Sequence, residues 1–482
     1  MTVIRPNSIS GINSITGNGG DISIFRADGT AADVTVNNIT SGIITATTFK
    51  GAVEGNVTGA VTGSGANLTS IPAAQLTGTV ADARLSTVSS SKLSGALPAI
   101  DGSALTGVGV GTADSINTSG IITATAFVSD TPLFGRNKII NGEFRVNQRR
   151  HTGSAGHNSY TLDRWKYGRS ANTEFSTSQS TDTPDGFANS VHMDCIGANG
   201  STGAGDYAYW RYHIEGQDLQ DLSKGTSAAK PFTLSFYFKS DITGVFAIHI
   251  ADENSRMCNA NYTVSNTNWN RYIITIPADT TGTIANSNAA GLEVRFYIIA
   301  GSNHTSGSAV HTWGAYSASS IATGHTANIV STSHNLYLTG VQLEVGSVAT
   351  PFEHRSFGDE LIRCKRYFNM VADGSEARSG SSRSEGVIGN GFFWQSNRMM
   401  VPVKFQVAMR TPNWTLYKKN GEYRYYANGQ SNQTCTQNDI GLNGQDGLNS
   451  AHLNITNISS SSAAGMFFVH DVNAALGFDA EL

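Results

Sequence analysis

Apolar and polar positions alternate in short runs through the middle of the chain. Pro231 to Lys239, Val245 to Ile250, Arg271 to Pro277 and Leu292 to Ile299 keep this pattern, and turn-rich spacers separate them. A period of two predicts half-buried antiparallel strands, so residues 131–358 read as a β-sandwich. In Asn335 to Val345 the apolar positions are Leu336, Leu338, Val341, Leu343 and Val345, with a change of phase at Gly340. That predicts a strand broken by a bulge. Pro351 bars continuation of a central strand, and Gly358 to Phe368 changes to helical spacing, with acids in the first turn and bases in the last. A short helix therefore closes this domain and leads into another, residues 359–482. Strands are predicted there at Gly391–Trp394, Val401–Phe405, Trp414–Tyr417 and Gly465–His470.

The first 130 residues differ. They hold no Trp, Tyr, His or Cys, and their aromatics are Phe25, Phe49 and Phe127 alone. So few large side chains cannot bury enough apolar area to offset the entropy of ordering, so the segment is disordered or takes its core from neighbours. Internal repeats favour the second reading. Ser41 to Phe49 recurs at Ser119 to Phe127 with one change, Ala126 for Thr48, and Gly51, Gly55, Gly59 and Gly63 fall every fourth residue with Val53, Val57 and Val61 midway. Small and β-branched residues in register suit three chains around one axis. A flexible Gly/Ser/Thr linker is the competing reading, but a linker needs no register.

Length and composition narrow the class. At 482 residues the chain exceeds the roughly 250 that one core supports. Charged residues are 14%, against about 25% in ordinary soluble domains, and Gly is abundant at 52. This profile fits an all-β extracellular or virion protein. A net charge of −4 implies neither nucleic-acid binding nor a polybasic membrane patch. Cys195, Cys258, Cys364 and Cys435 are widely spaced and form no C-x-x-C pair, so free thiols are expected. The start of the chain has no apolar signal core, and no run approaches the roughly 20 apolar residues of a membrane span, so membrane insertion is not expected and release by cell lysis is.

Two runs carry a resemblance. Gly340-Val-Gln-Leu-Glu-Val-Gly-Ser-Val-Ala-Thr-Pro-Phe-Glu-His-Arg-Ser-Phe-Gly-Asp-Glu-Leu-Ile-Arg-Cys-Lys-Arg-Tyr-Phe368 resembles a signature of bacteriophage tail-fibre proteins. Asn137 to Gln148, followed by Leu162-Asp163-Arg164-Trp165, strengthens it. Together they are similar to the first and last strands of the jelly-roll module in such fibres. Leu76 to Ser86 and Leu97 to Gly107 look like fibre-shaft repeats, similar to those of cyanophages, and the closing Asp479-Ala-Glu-Leu482 looks like the end of many fibre tips. The resemblance covers most of the chain beyond about residue 40 and implies a fold that is all-β: an attachment segment (1–40), an extended trimeric fibrous shaft (41–130), a jelly-roll β-sandwich (131–358) and a β-sandwich tip (359–482). It implies a homotrimer, a virion location on the phage tail, a tail or baseplate partner at the amino terminus, host surface polysaccharide as ligand and no cofactor. Jelly-roll carbohydrate-binding modules often carry an acidic calcium ligand before the last strand; Thr339 and Gly340 stand there instead.

Catalytic motifs are missing: there is no G-x-S-x-G, P-loop, H-E-x-x-H or EF-hand loop, and no enzyme is expected. A fibre-borne depolymerase or esterase, and a purely structural fibre or adaptor, are the alternatives. His304, His311, His325 and His334 match no metal spacing, and Asp439, Asn443 and Asp446 fit a solvated turn. Glycan binders stack sugar rings on aromatic faces and fix hydroxyls with Asn, Asp, Gln or Arg. Such groups gather at Trp394, Asn397 and Arg398, at Trp414, and at Tyr423, Tyr425, Tyr426 and Asn428; Trp313, in a polar region, is a further candidate. Core packing competes for Trp394 and Trp414. Consecutive Tyr425 and Tyr426 point to opposite faces of a strand.

Overall fold

The computed structural model describes residues 135–170, 174–197, 201–308, 311–374, 386–427, 433–442, 447–458, 464–470 and 473–482, with Asp28 and Thr30. The expected attachment segment and shaft otherwise lie outside the described residues.

The alternating runs become strands with edges within about two residues of expectation: Phe232–Ser240, Gly244–Asp252, Asn270–Ile276 and Ala290–Ala300. They belong to two facing antiparallel sheets. One orders Gly153–Ser154, Glu174–Ser180, Ser190–Gly197, Asn335–Val345, Phe232–Ser240 and Asn270–Ile276. The other orders Gly314–Ala315, Arg256–Val264, Gly244–Asp252, Ala290–Ala300, Tyr207–Glu215, Trp165–Arg169 and Ser159–Tyr160. Aromatic rings fill the space between: Trp165 lies 4.9 Å from Phe144 and 5.0 Å from Tyr212, and Phe236 meets Phe296 edge-on at 5.1 Å. The bulge falls where the phase changed, with a register shift between Thr339 and Gln342. Gly340 has φ +61°, and a Cβ there would lie 2.7 Å from the Phe187 ring. Glycine is required on both counts.

The two resembling runs lie against each other. Lys138 N donates to Leu343 O (2.8 Å), and Val341 N to Gly142 O (2.9 Å). Asn137 Oδ1 accepts from Ile139 N and Leu343 N, its Nδ2 donates to Val341 O, and Glu353 accepts the amides of Gly135 and Asn137. Buried Asn141 takes a left-handed turn at φ +59° and bonds Val146 N and O through its side chain. These polar residues satisfy buried backbone groups that would otherwise lose water without replacement. The helix follows at Phe357–Lys365, with Ser356 Oγ accepting from Asp359 N at 3.1 Å as its cap.

Residues 368–482 build a second core between a three-stranded sheet (Phe368–Asp373, Ala475–Asp479, Thr415–Lys418) and a seven-stranded one. The larger sheet orders Gln433–Cys435, Tyr423–Ala427, Ala464–Val469, Gly386–Gln395, Arg398–Lys404, Ser450–Ile455 and Ile440–Leu442. The described residues from 135 onward are therefore all-β, with two sandwich cores. All four cysteines are free and buried.

A buried ionic seam joins the cores. Arg164 Nη1 meets Glu481 Oε2 at 2.5 Å with both side chains 1% exposed, and its guanidinium lies 3.4 Å from the Tyr367 ring centroid. Arg149 reaches Asp479 (2.9 Å) and Glu481 (3.4 Å), Arg366 holds Glu215 through two bonds, and Arg410 Nε donates to Ala480 O (2.6 Å). Removing one partner strands the other charge away from water. Arg164→Ala should therefore cost about 3–5 kcal/mol in denaturant unfolding, while Arg164→Met with Glu481→Leu should cost clearly less.

Beside the seam, burial pushes the Asp163 carboxyl up to about 6, against the pull of Arg149 and two bonds from Gln148. A folded pKa above the unfolded value of 3.8 favours the protonated native state. This contribution is full below about pH 4 and is lost as pH rises through about 6. The stability of the wild type relative to Asp163→Asn should fall by about 2–3 kcal/mol between pH 4 and 8, read from urea titrations at each pH.

Candidate functional site

The outward face of the seven-stranded sheet carries the candidate site. Gly386–Gln395 and Arg398–Lys404 form a hairpin closed by Ser396 and Asn397, with Gln395 opposite Arg398. Alternation then sorts the side chains: Met399, Val401 and Val403 enter the core, while Arg398, Met400, Pro402 and Lys404 face away from it. The next strand pairs Asn454 with Met400 and His452 with Pro402, and on the other side Phe392 pairs with Met400. Phe392, Trp394, Arg398, Met400, Pro402, His452 and Asn454 line an open groove of about 620 Å³. Trp394 is 66% exposed, and it alone of the six tryptophans is exposed rather than buried or half-buried. Phe392, at 46%, extends the same apolar strip.

The candidate residues separate. Trp394, Asn397 and Arg398 are exposed at one end of the hairpin. Tyr426 is half-buried on the same outward face, stacked on Phe468 at 4.9 Å. Trp414, Tyr423 and Tyr425 are corrected: all three are core residues. Trp414 is 4% exposed and packs edge-on against Phe478 at 4.8 Å. Tyr423 is fully buried, its single hydroxyl proton shared between Lys419 O and Ala475 O at 2.9 and 2.8 Å, and Tyr425 is 2% exposed beside Phe393. Trp313 belongs to the other sandwich, where its indole N–H donates to Pro277 O (2.8 Å) and Lys224 Nζ lies 4.3 Å from its ring centroid. A sugar cannot stack on a face so covered. Asn428, Asn443 and Asp446 lie outside the described residues.

Phe392, Met400, Pro402, His452 and Asn454 were not legible as site residues. The alternation Val401-Pro402-Val403 marks Pro402 as outward, but pairing to His452 depends on strand order. The four histidines considered for metal do not converge. His325 is buried and pushed down to about 4, accepting a bond from Ala247 N, whereas His311 is exposed. Among the described residues no group of three or more His, Cys, Asp or Glu could hold a metal ion. Asp439 closes a capping box with Thr436 and accepts from Asn457, which accounts for its carboxylate.

No family model matches the chain, and no curated protein matches it. Among solved structures, part of it is similar to the enzymatically active domain of bacteriophage CBA120 tailspike protein 4, at 13% identity over 43% of this chain and 21% of that one, TM-score 0.24. It is similar also to a family 11 carbohydrate-binding module from Clostridium thermocellum in complex with a β-1,3-1,4-mixed-linked tetrasaccharide (12%, 41% and 98%, TM-score 0.22) and to a xylan-binding domain from CBM 22 (11%, 41% and 98%, TM-score 0.23). The chain thus spans about a fifth of the tailspike domain and nearly all of each module. Scores this low leave function to be read from the chain's own residues.

Burial sets the cost of truncating each indole. Trp394→Ala should leave the unfolding free energy within about 0.5 kcal/mol of wild type, whereas Trp414→Ala should lose about 3–5 kcal/mol.

Proposed function

We propose that this chain is a non-enzymatic fibre of a phage virion, trimeric through its amino-terminal repeats, whose tip groove binds glycan on the host surface. The observation that carries the proposal is the juxtaposition of two exposed aromatic side chains, Phe392 and Trp394, with Arg398, His452 and Asn454 in one open groove. An apolar ring face beside hydrogen-bonding groups is the chemistry a sugar requires, since a pyranose has one apolar face and polar edges. Of the residues that line the groove none is Asp or Glu. A glycosidase of the usual kind places two carboxyls about the scissile bond, so this lining favours holding a glycan over cutting it. A single site of millimolar affinity supplies only about −4 kcal/mol, and three sites on a trimer raise avidity by roughly a hundredfold or more.

The test is a binding screen of the full-length protein, fluorescently labelled, on an array of bacterial surface polysaccharides, with reducing-end release measured on every polymer bound. Binding without release, weakened about tenfold or more by Trp394→Ala, is the expected result. Release of reducing ends by the wild type would establish the depolymerase alternative instead.

A further inference from the structure

The groove carries a charge pattern that a neutral sugar would not need. At the outward positions of the seven strands the fixed cations are Arg398, Lys404 and Arg424, and no outward strand position among the described residues is Asp or Glu. Arg424 is neutralised by Glu422, which it meets through Nε at 3.0 Å and Nη2 at 3.1 Å. Arg398 and Lys404 have no carboxylate partner among the described residues. This sets Arg398 apart from Arg149, Arg164, Arg256 and Arg366, each of which is held by a carboxylate. Arg398 lines the groove with Trp394, and Lys404 lies two residues beyond Pro402 on the same face, about 7 Å further along the strand.

Resting on the glycan reading above, we infer that the groove selects an anionic glycan, one whose sugar bears a carboxylate or a sulfate. The sugar ring lies against Trp394 and Phe392 while its acidic group meets the Arg398 guanidinium, whose planar fork of donors matches the paired oxygens of either anion. Lys404, six residues beyond Arg398 on the same face and so about 20 Å further along the strand, adds a second, less directional charge for an acidic residue several sugars along the polymer. The whole chain has a net charge of −4, so an acidic polymer is not drawn to the protein indiscriminately.

The full-length protein would be titrated with polygalacturonate, with carboxyl-reduced polygalacturonate, with dextran sulfate and with dextran, at 50 and 500 mM NaCl. Binding to at least one acidic polymer, at least tenfold tighter than to its neutral counterpart and weakened by salt, is expected; which polymer binds tells carboxylate from sulfate. Arg398→Gln should lose about tenfold on the acidic polymer alone, Arg398→Lys should restore part of it, and Arg363→Gln, an exposed cation on the distant helix, should change nothing. Melting temperatures of all variants would confirm folding. Equal binding to neutral and acidic polymers, indifferent to Arg398→Gln, would overturn the charge selection and leave the glycan site standing. Binding to no polymer, with Trp394→Ala lowering the light-scattering mass, would make this face a contact between copies of the chain and overturn both.

Discussion

The buried pairing of Arg164 with Glu481 is the constraint on which the arrangement of the two cores depends. It ties the opening loops of the first sandwich to the last residues of the chain, at a place where neither charge is open to water. Such a pair contributes little as net stability because desolvation offsets its attraction, yet neither member tolerates loss of the other. The surrounding groups point the same way. His213 Nε2 lies 2.8 Å from Glu293, whose carboxyl is held far below the ordinary range: burial alone would raise it, and the bond to His213 with the charges of Arg295 and Arg211 outweighs that. Ionic geometry at the seam specifies how the cores meet, and the apolar interiors supply the driving force.

That division of labour explains why the most recognisable residues are not those of the groove. Asn137, Asn141, Glu353 and Ser356 spend their side chains on backbone groups, and Arg164 spends its own on His213 O and Glu481. They hold the irregular segment 135–148, where a first strand was expected, against the last strand of one sandwich, Asn335–Val345, and launch the helix that leads to the other. A scaffold of this kind requires specific polar residues at specific places, so it leaves a long signature. The groove requires only that aromatic and cationic side chains alternate outward on neighbouring strands, which leaves almost none.

The fold was therefore legible where a local rule sufficed. The phase change at Gly340, the charge order of the helix, and the alternation of the central strands each follow from a few neighbouring residues. Tyr425 and Tyr426 illustrate the limit: their opposite orientation was readable, but which of the two faced the core depended on the Phe467 and Phe468 strand beside them. Trp414 and Trp394 illustrate it further. Trp394 lies in the strand Gly386–Gln395 and Trp414 just before the strand Thr415–Lys418, yet Trp414 sits against Phe478 and Trp394 faces out. Sheet order decides between them, and sheet order is a property of distant contacts.

The proposed glycan lies on the outward face of the seven-stranded sheet at Trp394. Iodide quenching of intrinsic fluorescence tests this most directly, because Trp394 is the most exposed of the six indoles and Trp165, Trp210 and Trp414 are shielded by the cores. With saturating polysaccharide, the quenchable fraction should fall to that of the Trp394→Phe variant. Saturated binding that leaves iodide quenching of the wild type unchanged would place the glycan elsewhere and contradict the account.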